Sequence, residues 1–186
     1  MPKITAKLEL NVGGMFASKS TALIAQGQRH LLAGHKVVFI KPDIDNRYSE
    51  TEIVTHDGRK ADAVSLPLDC KLTKWEDYKN VRNADVILFD EVQFFEMEIC
   101  SLIRNLLKAG KVVYCSGLDM DYMGEPFQVT SYLMGIADEV NKLKAVCADC
   151  GEDAYVTVKT SDSNNRIELG SKDIYKPVCR ACYQKY

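Results

Sequence analysis

Apolar residues along the chain fall into short continuous runs that alternate with stretches of helical spacing. Lys7 to Val12 is the first strand-like run. From Thr21 to Ala33, Leu23, Ile24, Leu31 and Leu32 fall near one face of a helix. Gly27 interrupts that helix at modest cost, and Gly34 is its stop. Lys36 to Lys41 has a continuous apolar centre and is closed by Pro42, as suits a parallel strand buried on both faces. Asp43 to Lys60 is polar and reads as a loop, long enough to suspect function. A short strand, Ala63 to Leu66, and a short helix, Trp75 to Val81, follow.

The most pronounced strand is Ala84 to Glu91, which ends in two acids. A helix is predicted from Phe95 to Ala109, with Ile99, Leu102, Ile103, Leu106 and Leu107 on its buried side. Then come a strand from Lys111 to Gly117, a helix from Pro126 to about Ala137 and a strand from Lys142 to Val146. Strands alternating with helices imply βαβ units, hence an α/β fold with a mostly parallel sheet flanked by helices. Ligands bind such sheets at the carboxyl ends of the strands.

The first of those ends carries a candidate phosphate-binding loop of the P-loop type: Gly13, Gly14, Met15, Phe16, Ala17, Ser18, Lys19, Ser20 and Thr21, between a strand and a helix. The backbone N–H groups of such a loop, with the positive end of the helix, cradle a phosphate. Lys19 would then reach the β/γ-phosphates and Ser20 would ligate Mg²⁺. Ser18 stands where the pattern has its second glycine, a position whose conformation is awkward for a residue with a Cβ. The alternative for this segment alone is a strand-to-helix turn with no ligand.

The acids extend the argument. Four apolar residues ending in Asp90 have the Walker B form, in which the Asp holds the Mg²⁺ that bridges nucleotide phosphates. Glu91, pointing the other way, would face an acceptor and act as general base. Taken alone, Asp90 could equally be an acid at a solvent-facing turn. Lys19, Mg²⁺ and Arg47 would supply positive charge to a transferring phosphoryl group.

Composition narrows the classes. A chain of 186 residues with 46% hydrophobic and 27% charged residues suggests one domain, or one with a small appendage. A net charge of −2 leaves no electrostatic footprint for nucleic acid. No apolar run is long enough to span a membrane, and Met1 to Thr5 lacks a signal segment, so a cytoplasmic protein is expected. Of the 7 cysteines, Cys147/Cys150 and Cys179/Cys182 form two Cys-x-x-Cys pairs. Two such pairs suit a closed, structural tetrathiolate Zn²⁺ site; a redox dithiol is the rival. Gly151 to Val178 would form a hairpin between them. Its arms would be Tyr155 to Val158 and Arg166 to Leu169, and its turn Ser161 to Asn165. Cys70, Cys100 and Cys115 read as buried or half-buried thiols.

In register along nearly the whole chain, these motifs resemble those of the type II thymidine kinases, which include the bacterial and vertebrate cytosolic enzymes. The resemblance rests on Gly13 to Ser20, on Lys41-Pro42 with Asp45-Asn46-Arg47-Tyr48, and on Asp90-Glu91-Val92-Gln93-Phe94-Phe95. It continues through Gly117-Leu118-Asp119, Gly124-Glu125-Pro126-Phe127, the four cysteines and the closing Tyr175 to Tyr183. It implies a RecA-like P-loop domain, residues 1–141, and a small zinc-binding domain with a lasso loop, residues 142–186. It also implies transfer of the γ-phosphoryl group of ATP to the 5′-hydroxyl of thymidine, for pyrimidine salvage and DNA synthesis.

In that reading Glu91 is the base, Asp90 and Ser20 serve Mg²⁺, and Lys19 and Arg47 attend the phosphates. Met15, Phe94, Leu118, Tyr122 and Phe127 wall the base pocket, although each alone could be core. A lasso from about Ile167 to Tyr175, including Glu168, Leu169 and Gly170, would read the base through its main chain. Val156 falls where the family often has Thr near the base, so one polar contact is expected to be missing; Gly14 replaces a more usual proline. The resemblance further implies a homotetramer inhibited by thymidine triphosphate. A different class, a weakened nucleotide-binding module, is kept as the alternative because of Ser18. A P-loop ATPase with a zinc ribbon for nucleic acid is disfavoured by the acidic balance.

Overall fold

The structure, a computed structural model, describes residues 4–45, 49, 51–70, 79–160 and 174–186. Its centre is a seven-stranded sheet made of β1 (Lys7–Val12), β2 (Val37–Pro42), β3 (Glu52–Val54), β4 (Lys60–Leu66), β5 (Val86–Phe89), β6 (Val112–Gly117) and β7 (Glu139–Lys142). The order is β3-β4-β2-β5-β6-β1-β7, and every neighbouring pair is parallel except the antiparallel β3 and β4. Among the described residues, four helices accompany the sheet: α1 (Lys19–Leu32), α2 (Lys79–Asn83), α3 (Glu98–Lys108) and α4 (Gln128–Ile136). Among the described residues no helix is long and apolar enough to cross a membrane.

Side chains alternate across each strand, so one apolar run feeds two cores. In β5, Ile87 and Phe89 join Leu102, Ile103 and Leu106 of α3 and Leu133 of α4 on one face. Val86 and Leu88 join Leu23 and Ile24 of α1 on the other. This two-sided burial is why the central strands read as continuous apolar runs.

The structure departs from the sequence expectations at the sheet's edges. The polar stretch after β2 is not all loop: it contains β3, and β4 begins at Lys60. β3 has three residues, and the start of β4 alternates only the small Ala61 and Ala63 with exposed Lys60 and Asp62, so neither shows a pronounced apolar run. The strand expected at 142–146 is split between two short ones: Glu139–Lys142 joins the sheet as β7, parallel to β1, and Ala145–Val146 pairs outside it; the mostly exposed side chains of β7 hide it from a hydrophobic reading. On α1, Leu31 is half-exposed and Leu32 is 90% exposed. The buried stripe runs instead through Leu23, Ile24 and Gly27 to His30, whose Nε2 lies 2.9 Å from the Tyr114 hydroxyl. Gly27 is needed there, because a Cβ would stand 2.2 Å from the Phe39 ring.

Beyond the sheet, β8 (Ala145–Val146) pairs with β9 (Asp153–Ala154), and β10 (Val156–Lys159) pairs with β11 (Tyr175–Val178) ahead of α5 (Arg180–Tyr183). Among the described residues the partner of β10 is Tyr175–Val178; the arm expected opposite it is Arg166 to Leu169. That arm, the turn Ser161 to Asn165 and most of the short helix expected at Trp75 to Val81 lie outside the described residues. A separate apolar cluster holds Ala154, Val156, Val158 and Val178 together with Ala17 of the phosphate loop.

Candidate active site

β1 delivers the chain to the sheet's carboxyl edge, where Gly13 turns at φ 144. A Cβ at Gly13 would lie 2.3 Å from the Leu143 carbonyl oxygen, so the turn is closed to any larger residue. Phe16 (φ 67) and Ser18 (φ 57) occupy the left-handed region, which costs a residue with a Cβ roughly 1–2 kcal/mol. Ser18 thus adopts the backbone that favours glycine, with its side chain exposed. Such strain persists only where the surroundings over-determine it. Here the Met15 N–H donates to Thr157 Oγ1 at 2.9 Å, the His56 ring packs on Phe16 with centroids 5.4 Å apart, and Ala17 is buried in the C-terminal cluster.

Lys19 opens α1 and is 9% exposed; its Nζ donates to the Gly14 carbonyl at 2.7 Å, folding the ammonium over the loop. Ser20 Oγ donates to Asp90 Oδ1 at 3.0 Å, and the Ser116 hydroxyl donates to the same oxygen. Thr21 Oγ1 donates to Asp57 Oδ1 at 3.0 Å, tying the β3–β4 hairpin to the first turn of α1.

Asp90 and Glu91 follow β5. Asp90 is 5% exposed; burial, and then the neighbouring Glu91 charge, push its carboxyl up to about 6, against the two serine hydroxyls that hold it down. A cation at Asp90 would reverse that balance. Glu91 has φ 51, a third residue in the left-handed region after Phe16 and Ser18. Gln93 Nε2 donates to Glu91 Oε2 at 2.5 Å, and Gln93 Oε1 accepts from the Leu118 N–H at 3.0 Å.

These groups face a cavity of about 330 Å³, within the range of small-molecule sites. Met15, Phe16 and the run Ser18 to Thr21 form its phosphate-loop side, with Asp90 and Glu91 beside them. Phe94, Leu118, Tyr122, Phe127 and Tyr175 bring an apolar and aromatic wall. Gly13, Gly14 and Ala17 are buried members of the loop and do not line the cavity, and neither does Val156. The alternation of β10 turns Val156 into the C-terminal cluster and brings Thr157 to the cavity lining, where its Oγ1 accepts from the Met15 N–H. Arg47, Ile167, Glu168, Leu169 and Gly170 lie outside the described residues.

Sequence reasoning assigned no role to several residues that the fold brings here. Lys41, 3% exposed, donates from Nζ to the Glu52 carbonyl at 3.2 Å and to the Ser49 carbonyl. Asp121 Oδ1 accepts from the N–H groups of Met123 and Glu125, each at 2.9 Å, shaping the turn that carries Tyr122. A charged residue at the end of an apolar strand was the available signal for Lys41; Thr157 and Asp121 had none short of the register itself.

The sequence signature of the family described as "Thymidine kinase" matches residues 6–183. The chain belongs to the thymidine kinase family. It is therefore a phosphotransferase, and the family uses ATP. It is similar to a thymidine kinase of Pseudothermotoga lettingae, with 36% identity over 183 residues, covering 98% of this chain and 97% of that one. Similarity to a thymidine kinase of a Rhodothermus species is 36% over 177 residues, covering 95% and 81%. Among solved structures, the replication initiator DnaA bound to AMPPCP and single-stranded DNA matches with a TM-score of 0.45 at 14% identity, covering 75% of this chain and 41% of that one.

The C-terminal element adds a second candidate site. The sulfurs of Cys147, Cys150, Cys179 and Cys182 all lie within 4.8 Å of one another. Cys150 and Cys179 are 3.7 Å apart, beyond any disulfide. Zinc with sulfurs at about 2.3 Å in a tetrahedron places them about 3.8 Å apart, so this donor set could hold a zinc ion. Convergence of all four thiols is what a structural tetrathiolate needs, whereas a redox dithiol needs only two. The Cys182 N–H donates to Cys179 Sγ at 3.4 Å, and Lys176 Nζ pairs with Asp149 at 2.8 Å, fixing the surrounding turns.

Proposed function

We propose that the chain transfers the γ-phosphoryl group of ATP to the 5′-hydroxyl of thymidine, giving thymidine monophosphate in pyrimidine salvage. The observation that carries this reading is one cavity lined by the phosphate loop, the Asp90–Glu91 pair and an aromatic wall. Catalysis of phosphoryl transfer is mostly positioning and charge neutralisation, and each part has a candidate. The loop Gly13 to Thr21 cradles the phosphates, with Lys19 exchanging the Gly14 carbonyl for phosphate oxygens and Arg47 adding charge. Ser20 Oγ and Asp90 Oδ1, 3.0 Å apart, are an oxygen pair suited to Mg²⁺. When bound there, the cation neutralises charge across the phosphates. Glu91 takes the proton of the attacking hydroxyl.

Met15, Phe94, Leu118, Tyr122, Phe127 and Tyr175 wall the faces of the neutral base, joined by Thr157 and by the main chain of Ile167 to Gly170. The same reading divides the chain at about residue 141 and includes a homotetramer, inhibition by thymidine triphosphate and a cytoplasmic location. The weakened-module alternative is not favoured: Ser18 keeps the left-handed turn with its side chain exposed, and Lys19, Ser20, Asp90 and Glu91 all reach the cavity. The test is incubation with γ-labelled ATP, Mg²⁺ and thymidine. Label recovered in thymidine monophosphate is the expected result; release of free phosphate regardless of thymidine would contradict the reading.

A further inference from the structure

Gln93 is 6% exposed and lies in the 3-10 turn Val92–Phe94, directly after the acid pair. Its two ends have different partners. Oε1 accepts from the Leu118 N–H at 3.0 Å, and Nε2 donates to Glu91 Oε2 at 2.5 Å. A backbone N–H can only donate and a carboxylate can only accept, so both partners demand the same orientation of the amide. Leu118 belongs to the apolar wall of the cavity and Glu91 to its acidic side. Gly117, just before Leu118, makes room: a Cβ there would lie 2.8 Å from Gln93 Oε1 and 2.7 Å from Val92 Cγ2.

Glu91 has a long side chain on a backbone held at φ 51. A general base must stand within hydrogen-bond reach of its proton, and a misplacement of about 1 Å can cost about 100-fold. We propose that Gln93 is a positioning residue that holds the Glu91 carboxylate against the acceptor hydroxyl from an anchor on the Leu118 backbone. One amide then sets both the nucleoside wall and the base. The inference rests on the reading of Glu91 as the base.

The two bonds can be separated. Gln93→Glu keeps the shape and an acceptor for Leu118 but presents an oxygen, not an NH₂, to Glu91. Gln93→Met loses both bonds. In Gln93→Glu, kcat falls about 10- to 100-fold while KM for thymidine stays within about 2-fold. In Gln93→Met, kcat falls as far and KM for thymidine rises as well.

Glu91→Gln is run beside them. If Glu91→Gln keeps the parent kcat, the assignment of the base fails, whatever Gln93 does. If Glu91→Gln is slow and adding Gln93→Glu slows it no further, Gln93 acts through Glu91. A Gln93→Glu variant with parental kcat overturns the inference, as does a double variant slowed by both losses multiplied. Should Gln93→Glu fail to fold, Gly117→Ala crowds the same amide and is expected to show the same fall in kcat; parental kcat in Gly117→Ala overturns the inference equally.

Discussion

Ser20 Oγ donates to Asp90 Oδ1 at 3.0 Å, joining the first turn of α1 to the end of β5 across 70 residues of sequence. The phosphate loop and the acidic strand end are thus one oxygen-rich site. Asp90→Asn is expected to lower kcat about 100- to 1,000-fold, the scale of losing a preorganised electrostatic partner. Ser20→Ala, which leaves the carboxylate, costs about 10-fold and raises the Mg²⁺ concentration needed for half-maximal rate. Steady-state rates across a Mg²⁺ titration check both.

Ser18 at φ 57 makes the loop's departure from glycine a matter of strain rather than of lost shape. Ser18→Gly relieves about 1–2 kcal/mol in the folded chain and loses about 0.5–1 kcal/mol to the freer unfolded one. The net gain of at most about 1.5 kcal/mol therefore raises the melting temperature by no more than about 3–6 °C, and both chains phosphorylate thymidine. Ser18→Val, β-branched where φ is positive, is expected to lose ATP-dependent turnover.

How much of this was readable from residues alone follows burial. The central strands announced themselves because both faces are covered, and the loop and acid pair because they sit where those strands end. β3 was hidden because three residues are too few to show a period, and β7 because an edge strand with exposed side chains carries no apolar pattern. Thr157 was missed by a single residue, and only the pairing of Val156 with Val178 decides which of the two neighbours turns inward. Gln93 stood inside a motif already noted, but its role depends on the Leu118 backbone, 25 residues away.

The four convergent thiols make a stoichiometric prediction. The purified chain is expected to release one zinc per chain on thiol modification, and Cys150→Ser to release none. Because a metal held by these thiols would tie the segment from β8 to α5 together, that variant is also expected to melt at lower temperature. Metal assay by colorimetric chelation and a thermal melt are the checks; a parent chain that folds fully without metal would contradict it.

Cys100 gives a pH dependence. Burial pushes its thiol from 9.0 up to about 11. Between those values the unfolded chain releases the proton while the folded chain keeps it, so this contribution is full below pH 9 and is lost as pH rises through 11. Cys115, fully buried, is shifted the same way. Both are expected to resist alkylation at pH 8 in the folded chain and to react on unfolding, as mass spectrometry of labelled peptides would show.

The most direct test of the central claim pairs thymidine phosphorylation with thymidine binding in the parent and in Glu91→Gln. With ATP and Mg²⁺ the parent turns over, and the variant is slower by about 100- to 10,000-fold while its calorimetric affinity for thymidine is unchanged. A variant that phosphorylates thymidine within a few-fold of the parent would contradict the assignment of Glu91 as the base on which this account turns.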